Sequence, residues 1–248
     1  MIEFITEHYG SLIIGLLVSV SISFFAYKKQ SLSTSGFYAS IVIGTIIYVC
    51  GGLYFMVVLF AFFVSSSLFS VLQKGEKRHA KRTYKQVLAN GVIGVVLSIL
   101  FFTSKEELFK LLYTISFAVS TADTWASEIG KLAKYSPRHI LTWKSTTQGL
   151  SGSVSGLGLF ASLGGSVFMS VFMLFNYHVI IWGFLGSILD SVLGTIQVKY
   201  VLSTGEVLDR INQDQTYDHT TGLPWLKNNT VNFISNLIIV AVVYILYK

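Results

Sequence analysis

The chain has 248 residues, of which 52% are hydrophobic and 12% are charged, whereas about 25% of an ordinary soluble domain is charged. This composition excludes a soluble globular protein, and apolar runs near the ~20 residues of a membrane-crossing helix are spread over the whole chain. The net charge of +6 does not by itself indicate nucleic acid, because basic residues of a membrane protein are first counted against its topology. We therefore predict an all-α, polytopic integral membrane helix bundle with no nucleic-acid partner.

Eight apolar segments are predicted, so we expect about eight transmembrane helices (six to eight), some of them short or interrupted. They span roughly residues 11–27, 36–51, 53–72, 87–102, 108–123, 153–175, 178–198 and 231–247. We interpret the first as a helix rather than a secretory signal, because Glu3 and Glu7 precede it where such a peptide carries positive charge. The chain is expected to form one transmembrane domain, 1–248, with loops 73–86, 124–152 and 199–230 contributing to the site.

The distribution of basic residues predicts the orientation. If the N-terminus is outside, fifteen of the 18 lysines and arginines lie in internal loops, and only Lys105, Lys110 and Lys248 lie outside. The positive-inside rule then supports both the segment count and this orientation. We expect a cell-membrane protein with its N- and C-termini outside. Asp123 and Asp190 end two outward-to-inward segments, so we expect a site that faces the cytoplasm.

Two acids at the ends of apolar segments are the main candidates for chemistry. Asp123 lies in a run of small hydroxyl residues, and Asp190 follows a long apolar run and precedes Ser191. Ionisable residues at membrane depth are functional by default, although interfacial carboxylates that are solvated or paired with a loop lysine remain the alternative. Glu128 is five residues past Asp123, so it joins the same site only if the helix breaks after Asp123. Three such oxygen ligands suit Mg²⁺.

Polar residues at several segment ends indicate an anion site. Gly149, Ser151 and Ser153 lead into the sixth segment, where free backbone N–H groups can bind phosphate. Arg138 follows a proline in the same loop, and its planar guanidinium can bind phosphate oxygens in pairs. Ser66 ends the third segment, Asn90 begins the fourth, and Asn229 and Asn232 share one face at the start of the eighth.

Other kinds of site are not indicated. The five histidines have no spacing typical of zinc, and the Gly130-Lys131 pair lacks the glycine that a P-loop needs in the position of Trp125. Cys50 lies in an apolar segment, where a buried inert thiol is expected.

These motifs resemble a family of membrane proteins long catalogued as being of unknown function, which includes the plant phytyl-phosphate kinases. The resemblance spans most of the chain, and the Asp-Thr-Trp-Ala-Ser-Glu-Ile-Gly string at 123–130 is its most specific part. Gly186 to Asp190-Ser191, with Gly194 and Gln197, and Asn229 to Asn232 also carry it. The resemblance implies phosphoryl transfer from a nucleoside triphosphate, CTP in the phytyl case, to an isoprenoid monophosphate, which gives the diphosphate.

With this resemblance, each candidate residue receives a predicted role. Asp123, Asp190 and Arg138 are expected to be catalytic, and Asp123, Glu128 and Asp190 to hold Mg²⁺. Nucleotide or phosphate binding is assigned to Ser66, Asn90, Thr124, Gly149, Ser151, Ser153, Ser191, Gln197, Asn229 and Asn232. The expected partners are an isoprenoid monophosphate lipid, a nucleoside triphosphate and membrane lipids.

Two alternatives have different chemistry. An ion-coupled transporter or lipid scramblase predicts acids near the membrane midplane, whereas the segments above place them at the cytoplasmic rim. A non-catalytic scaffold leaves the polar residues at four segment ends unexplained.

Overall fold

The computed structural model describes residues 2–71, 81–211 and 216–248, with the side chains of all but residues 2–8, 70 and 71. These ranges form seven α-helices: α1 Ile2–Lys28, α2 Thr34–Val71, α3 Tyr84–Ser104, α4 Glu107–Gly130, α5 Gly156–Ser170, α6 Tyr177–Gly194 and α7 Asn228–Tyr247. Six of them, all except α4, contain stretches that are long and apolar enough to cross a membrane. The predicted all-α polytopic membrane bundle is confirmed.

Helix α2 is a hairpin of two helical halves that turns at Gly52. This residue has φ 75° and ψ −160°, a region of backbone space that is essentially restricted to glycine. A Cβ placed on Gly44 would lie 3.7 Å from the side chain of Met56, so the second half returns alongside the first. With its two halves counted separately, the described residues contain eight helical segments, the number of apolar segments predicted.

Helix α4 is the centre of the bundle. Every residue from Leu112 to Ala122 is buried, which is expected of a helix enclosed on all sides. It packs against α2, α3, α5, α6 and α7, and Tyr113 and Phe117 are fully buried in the aromatic core that joins it to Phe55 and Phe62. Because its neighbours shield it, α4 can carry polar residues that a lipid-facing helix cannot.

Helix α5 approaches α4 closely at two glycines. A Cβ on Gly158 would lie 3.2 Å from the carbonyl oxygen of Ala126, and one on Gly165 would lie 3.1 Å from the Cα of Ala122. Small residues at such crossings let helix backbones approach one another in membranes. The contact holds the loop before α5 against the end of α4.

The connections contain short strands that the sequence did not predict. β1 Arg138–His139 pairs antiparallel with β2 Ser153–Val154, and a second sheet has the order β4-β3-β5. Its strands are β3 Lys199–Val201, β4 Val207–Leu208 and β5 His219–Thr221. Strands of two or three residues are too short to show an alternating pattern.

Segment boundaries also differ from the prediction. α4 continues without a break to Gly130, seven residues past the predicted end at Asp123, and α5 begins at Gly156 rather than at 153. Within the predicted loop 73–86, residues 73–80 lie outside the described part of the chain, and α3 begins at Tyr84.

Candidate functional site

A polar cavity of about 730 Å³ lies where the ends of the helices meet the loops. Its walls come from α3, α4, α6 and α7 and from the loops before α2, before α5 and after α6. Many predicted site residues line it together: Asn90, Asp123, Thr124, Glu128, Gly149, Ser151, Ser153, Asp190, Ser191, Asn229 and Asn232. The structure thus brings residues from distant parts of the chain to one place.

The carboxyl groups of Asp123 and Asp190 both line the cavity and lie close enough to interact across the α4–α6 boundary. Two ionised carboxylates close together repel one another, so such a pair is stable when it shares a proton or binds a cation. Mg²⁺ in phosphate-transfer sites is typically bound by one or two carboxylates, with waters and substrate phosphates completing its shell. The pair fits this kind of ion.

Glu128 is not part of the pair. It is 8% exposed and lines the cavity, but α4 is continuous between Asp123 and Glu128, and five residues of helix turn the two side chains to different directions. Among the described residues, no group of three or more His, Cys, Asp and Glu side chains is placed to hold a metal ion. The break that would have united the predicted three-acid site is absent from α4.

Helix α7 holds the acid pair from the third side. Ser235 donates a hydrogen bond to Oδ2 of Asp190 over 2.9 Å. The next residue of α7, Asn236, donates to the carbonyl of Ser116 over 3.0 Å and to the hydroxyl of Ser120 over 3.2 Å. Both α7 residues are almost fully buried, so the acids lie between three mutually bonded helices.

The opposite wall of the cavity is a loop network centred on Ser151. Its backbone N–H and hydroxyl both donate to Oδ2 of Asp209, over 2.7 and 2.6 Å. Gln197 donates to the same hydroxyl over 2.8 Å. The backbone N–H of Ser151, which was predicted to bind phosphate, is therefore engaged by a carboxylate in this structure, as is its hydroxyl.

Basic side chains face the acids across the cavity. Five of them line it: Lys29, Lys81, Arg82, Lys131 and Arg210. Burial lowers the pKa of Lys131 below its ordinary value, with nearby Glu128 opposing this effect and Arg210 reinforcing it. Burial likewise lowers the pKa of Arg82, to about 10, with Glu128 opposing it. Arg82 therefore remains protonated at neutral pH, and the loops supply positive charge to a space with acids at its base.

Three predicted site residues lie elsewhere. Arg138 is exposed in β1, where its Nη1 donates to the carbonyl of Trp143 over 2.9 Å, and it does not line the cavity. Ser66 is fully buried in α2, and its neighbour Ser67 reaches the cavity instead. Gln197 is 2% exposed and acts on the cavity only through Ser151. The phosphate-binding role predicted for Arg138 has no geometric support.

Several cavity residues were missed from the sequence. Arg82, Lys131 and Arg210 had been counted only as topology signals, and Asp209 and Ser235 had no assigned role. The available signal was weak, because each gains its place through a contact between residues far apart in the chain, as Ser151 and Asp209 show.

The fold and cavity define a class of protein: a polytopic helical membrane protein with an enclosed polar site at the ends of its helices. Residues 17–240 match the family model described as integral membrane protein DUF92, and the chain belongs to this family. The resemblance predicted from the motifs is thereby confirmed.

Known relatives span most of the chain. Protein PGR of Arabidopsis thaliana is 30% identical over 269 residues, which cover 92% of this chain and 93% of the relative. An uncharacterized membrane protein of Methanocaldococcus jannaschii is 30% identical over 199 residues, 75% of this chain and 82% of the relative. Protein VTE6, chloroplastic, of Arabidopsis thaliana is 27% identical over 219 residues, 82% of this chain and 62% of the relative. No solved structure matches the chain.

Proposed function

We propose that this protein is a membrane-embedded kinase that transfers a phosphoryl group from a nucleoside triphosphate to an isoprenoid monophosphate. One observation carries the proposal: a carboxylate pair lies at the base of a 730 Å³ cavity whose loops contribute five basic side chains. Such a cavity has room for a nucleotide and separates a cation site from an anion site. The resemblance to a family that includes the plant phytyl-phosphate kinases supports the same activity, with CTP as the proposed donor.

The reaction requires the protein mainly to position the two substrates and to neutralise their charge. An oxygen of the acceptor monophosphate attacks the γ-phosphorus, the bond from that phosphorus to the β,γ-bridging oxygen breaks, and a nucleoside diphosphate leaves. Because the acceptor oxygen is already largely ionised near neutral pH, no catalytic base is required. Phosphoryl transfer is accelerated mainly by alignment of the reactants and neutralisation of their charge.

The residues of the cavity divide these tasks. Asp123 and Asp190 would hold Mg²⁺, with Ser235 fixing the carboxylate of Asp190. The bound ion would neutralise charge on the triphosphate. Lys131 and Arg210, which lie within electrostatic range of one another, would bind phosphate oxygens from the loop side. Asn90, Asn229 and Asn232 would supply neutral hydrogen bonds at the helix ends.

The test is a direct assay for product. Purified protein is mixed with Mg²⁺, labelled CTP or ATP, and a panel of prenyl monophosphates, and labelled prenyl diphosphate is measured. We expect product with at least one acceptor, dependent on Mg²⁺. Absence of labelled diphosphate for every donor and acceptor would contradict the proposal.

An ion-coupled transporter or lipid scramblase is the second candidate, and the proximity of Asp123 and Asp190 within the helical bundle is the observation that favours it. Coupled transporters place such acids on the path of a proton or cation. Flux without any chemical product, in vesicles that contain the purified protein, would support this candidate instead.

The proposed kinase also needs the cavity to face the compartment that supplies nucleotide. We propose the cytoplasmic orientation that the distribution of basic residues predicts. In a Cys50→Ser background, Lys144→Cys should resist an impermeant thiol reagent added to intact cells and Glu106→Cys should react. External labelling at residue 144 would place the loops on the wrong face.

A further inference from the structure

A second, apolar cavity lies beside the polar one. It has a volume of about 80 Å³ and is enclosed by α1, both halves of α2, α3 and Phe117 of α4. Its wall is formed mainly by apolar side chains, among them Ile22, Met56, Leu59, Phe60 and Val87. Phe60 is 43% exposed on the outer surface of the bundle, so the crevice reaches the face that lipid would cover.

Three residues line both cavities: Arg82, Gln86 and Asn90. Gln86 and Asn90 are four residues apart and share one face at the beginning of α3, and Arg82 lies two residues before that helix begins. This face separates the apolar crevice from the polar cavity. A molecule with an apolar chain and a charged head can therefore occupy both spaces, with its head at this junction.

Arg82 is held firmly at the junction. Its backbone N–H donates to the carbonyl of Ser31 over 3.0 Å, and its carbonyl accepts from the N–H of Ser33 over 3.0 Å. Gly36 leaves room for that carbonyl, since a Cβ at this position would overlap with it.

The guanidinium of Arg82 lies against two aromatic rings, 6.0 Å from the ring centroid of Phe62 and 5.3 Å from that of Phe63. Glu128 lies within electrostatic range of it. An arginine stacked on aromatic rings keeps N–H donors at its edge for the paired hydrogen bonds that phosphate accepts. The head group that fits this position is an anion, and a phosphate in particular.

We propose that this crevice is the acceptor subsite, which holds the beginning of the chain of a single-chain lipid monophosphate and places its phosphate on Arg82. The inference rests on the proposed function in naming that lipid as the acceptor. A single water needs ~10–15 Å³ of such a cavity, so about 80 Å³ accommodates several atoms of one chain. The rest of a long chain runs out past Phe60 into lipid, and the two chains of phosphatidic acid do not fit together.

Binding is tested independently of turnover with a photoreactive ligand. A long-chain prenyl monophosphate with a diazirine in its first isoprene unit is crosslinked to the purified protein in nanodiscs, and the labelled peptides are sequenced. We expect labels on α1, on the second half of α2 and on the first turns of α3, displaced by unlabelled prenyl monophosphate but not by phosphatidic acid. Labels confined to other helices, or equal displacement by phosphatidic acid, overturn the subsite.

Matched variants test the two halves of the junction. Val87→Phe fills the crevice, whereas Val95→Phe makes the same change two turns further along α3, at an equally half-buried position outside the crevice. We expect Val87→Phe to reduce specific labelling at least fivefold and Val95→Phe to leave it within twofold. Equal effects from both variants overturn the assignment.

The second pair of variants tests the charge. Arg82→Gln should weaken displacement by prenyl monophosphate roughly tenfold, the size expected for a hydrogen bond to a charged group. Lys85→Gln removes the same charge from an exposed residue that lines neither cavity and should leave displacement unchanged. If prenyl monophosphate displaces the label normally in the Arg82 variant, the phosphate does not bind to that arginine.

The same experiments separate this inference from the kinase proposal. Specific labelling of the crevice in a protein that forms no diphosphate would retain the subsite and refute the kinase. Diphosphate formation with labels elsewhere would retain the kinase and refute the subsite.

Discussion

The two walls of the polar cavity are built in different ways. The helical wall carries Asp123 and Asp190 on α4 and α6, with α7 bonded to both helices through Ser235 and Asn236. The loop wall consists of turns and two-residue strands, and its polar groups bond mainly to one another, as Ser151 and Asp209 do. Packed helices hold side chains within narrow limits, whereas loops adapt to ligands. The helical wall is therefore suited to the chemical step and the loop wall to binding and release.

The strongest test of this difference is the acid pair. Asp190→Asn and Asp123→Asn should each reduce turnover by more than roughly a hundredfold, because an amide cannot replace a charged metal ligand. Folding should be preserved, since each change removes one of two repelling carboxylates. Diphosphate formation and thermal unfolding are measured side by side. Asp218→Asn, at an exposed position outside the cavity, is the control, and activity near wild type in either acid variant would refute the two-acid site.

A smaller effect is expected for Ser235, which lies behind Asp190 on the helical wall and bonds to its carboxylate. Ser235→Ala removes the donor to Asp190 and should lower kcat roughly tenfold, as ~1.5 kcal/mol for a hydrogen bond to a charged group implies. The affinity for nucleotide should change little, because the serine reaches substrate only through the acid.

Ser170→Ala is the matched control for Ser235. It removes an equally buried hydroxyl that donates to the carbonyl of Val167 in its own helix. A similar loss of kcat in both variants would show a general packing effect rather than positioning of Asp190.

For the loop wall, we expect substitutions to change KM rather than kcat. Gln197→Met keeps the size of the side chain but loses the bond to Ser151, which should raise the KM for nucleotide about fivefold, as ~1 kcal/mol for a neutral hydrogen bond implies. Steady-state kinetics at several nucleotide concentrations distinguish the two parameters. A fall in kcat with constant KM would contradict the division between the walls.

The smallest effect is expected at Arg138. Its guanidinium bonds to the carbonyl of Trp143 outside the cavity, so Arg138→Lys should retain turnover within about twofold at both saturating and low nucleotide, since a surface change of this kind costs ~0.5 kcal/mol or less. A tenfold loss at low nucleotide would instead indicate that the loop carries Arg138 to bound phosphate.

The helical wall was largely predictable from the sequence and the loop wall was not. Apolar runs mark Asp123 and Asp190 as acids at membrane depth, and the predicted break between segments at residue 52 coincides with the turn at Gly52. Glu128 could not be placed, because whether α4 continues past Asp123 depends on burial by its neighbours. Arg82 and Asp209 owe their positions to Phe63 and Ser151, and such pairings leave no periodic pattern in the chain.

The turn at Gly52 determines which residues of the second half of α2 face Arg82 at the opposite end of the bundle. It reverses the chain in a backbone conformation open essentially to glycine alone, so the second half of α2 begins at a fixed rotation. One residue inserted after it would rotate that half by about 100° and shift it by ~1.5 Å. Phe62 and Phe63 would then turn away from Arg82. A single glycine at the opposite end of the bundle thus determines which aromatic rings of α2 lie against Arg82.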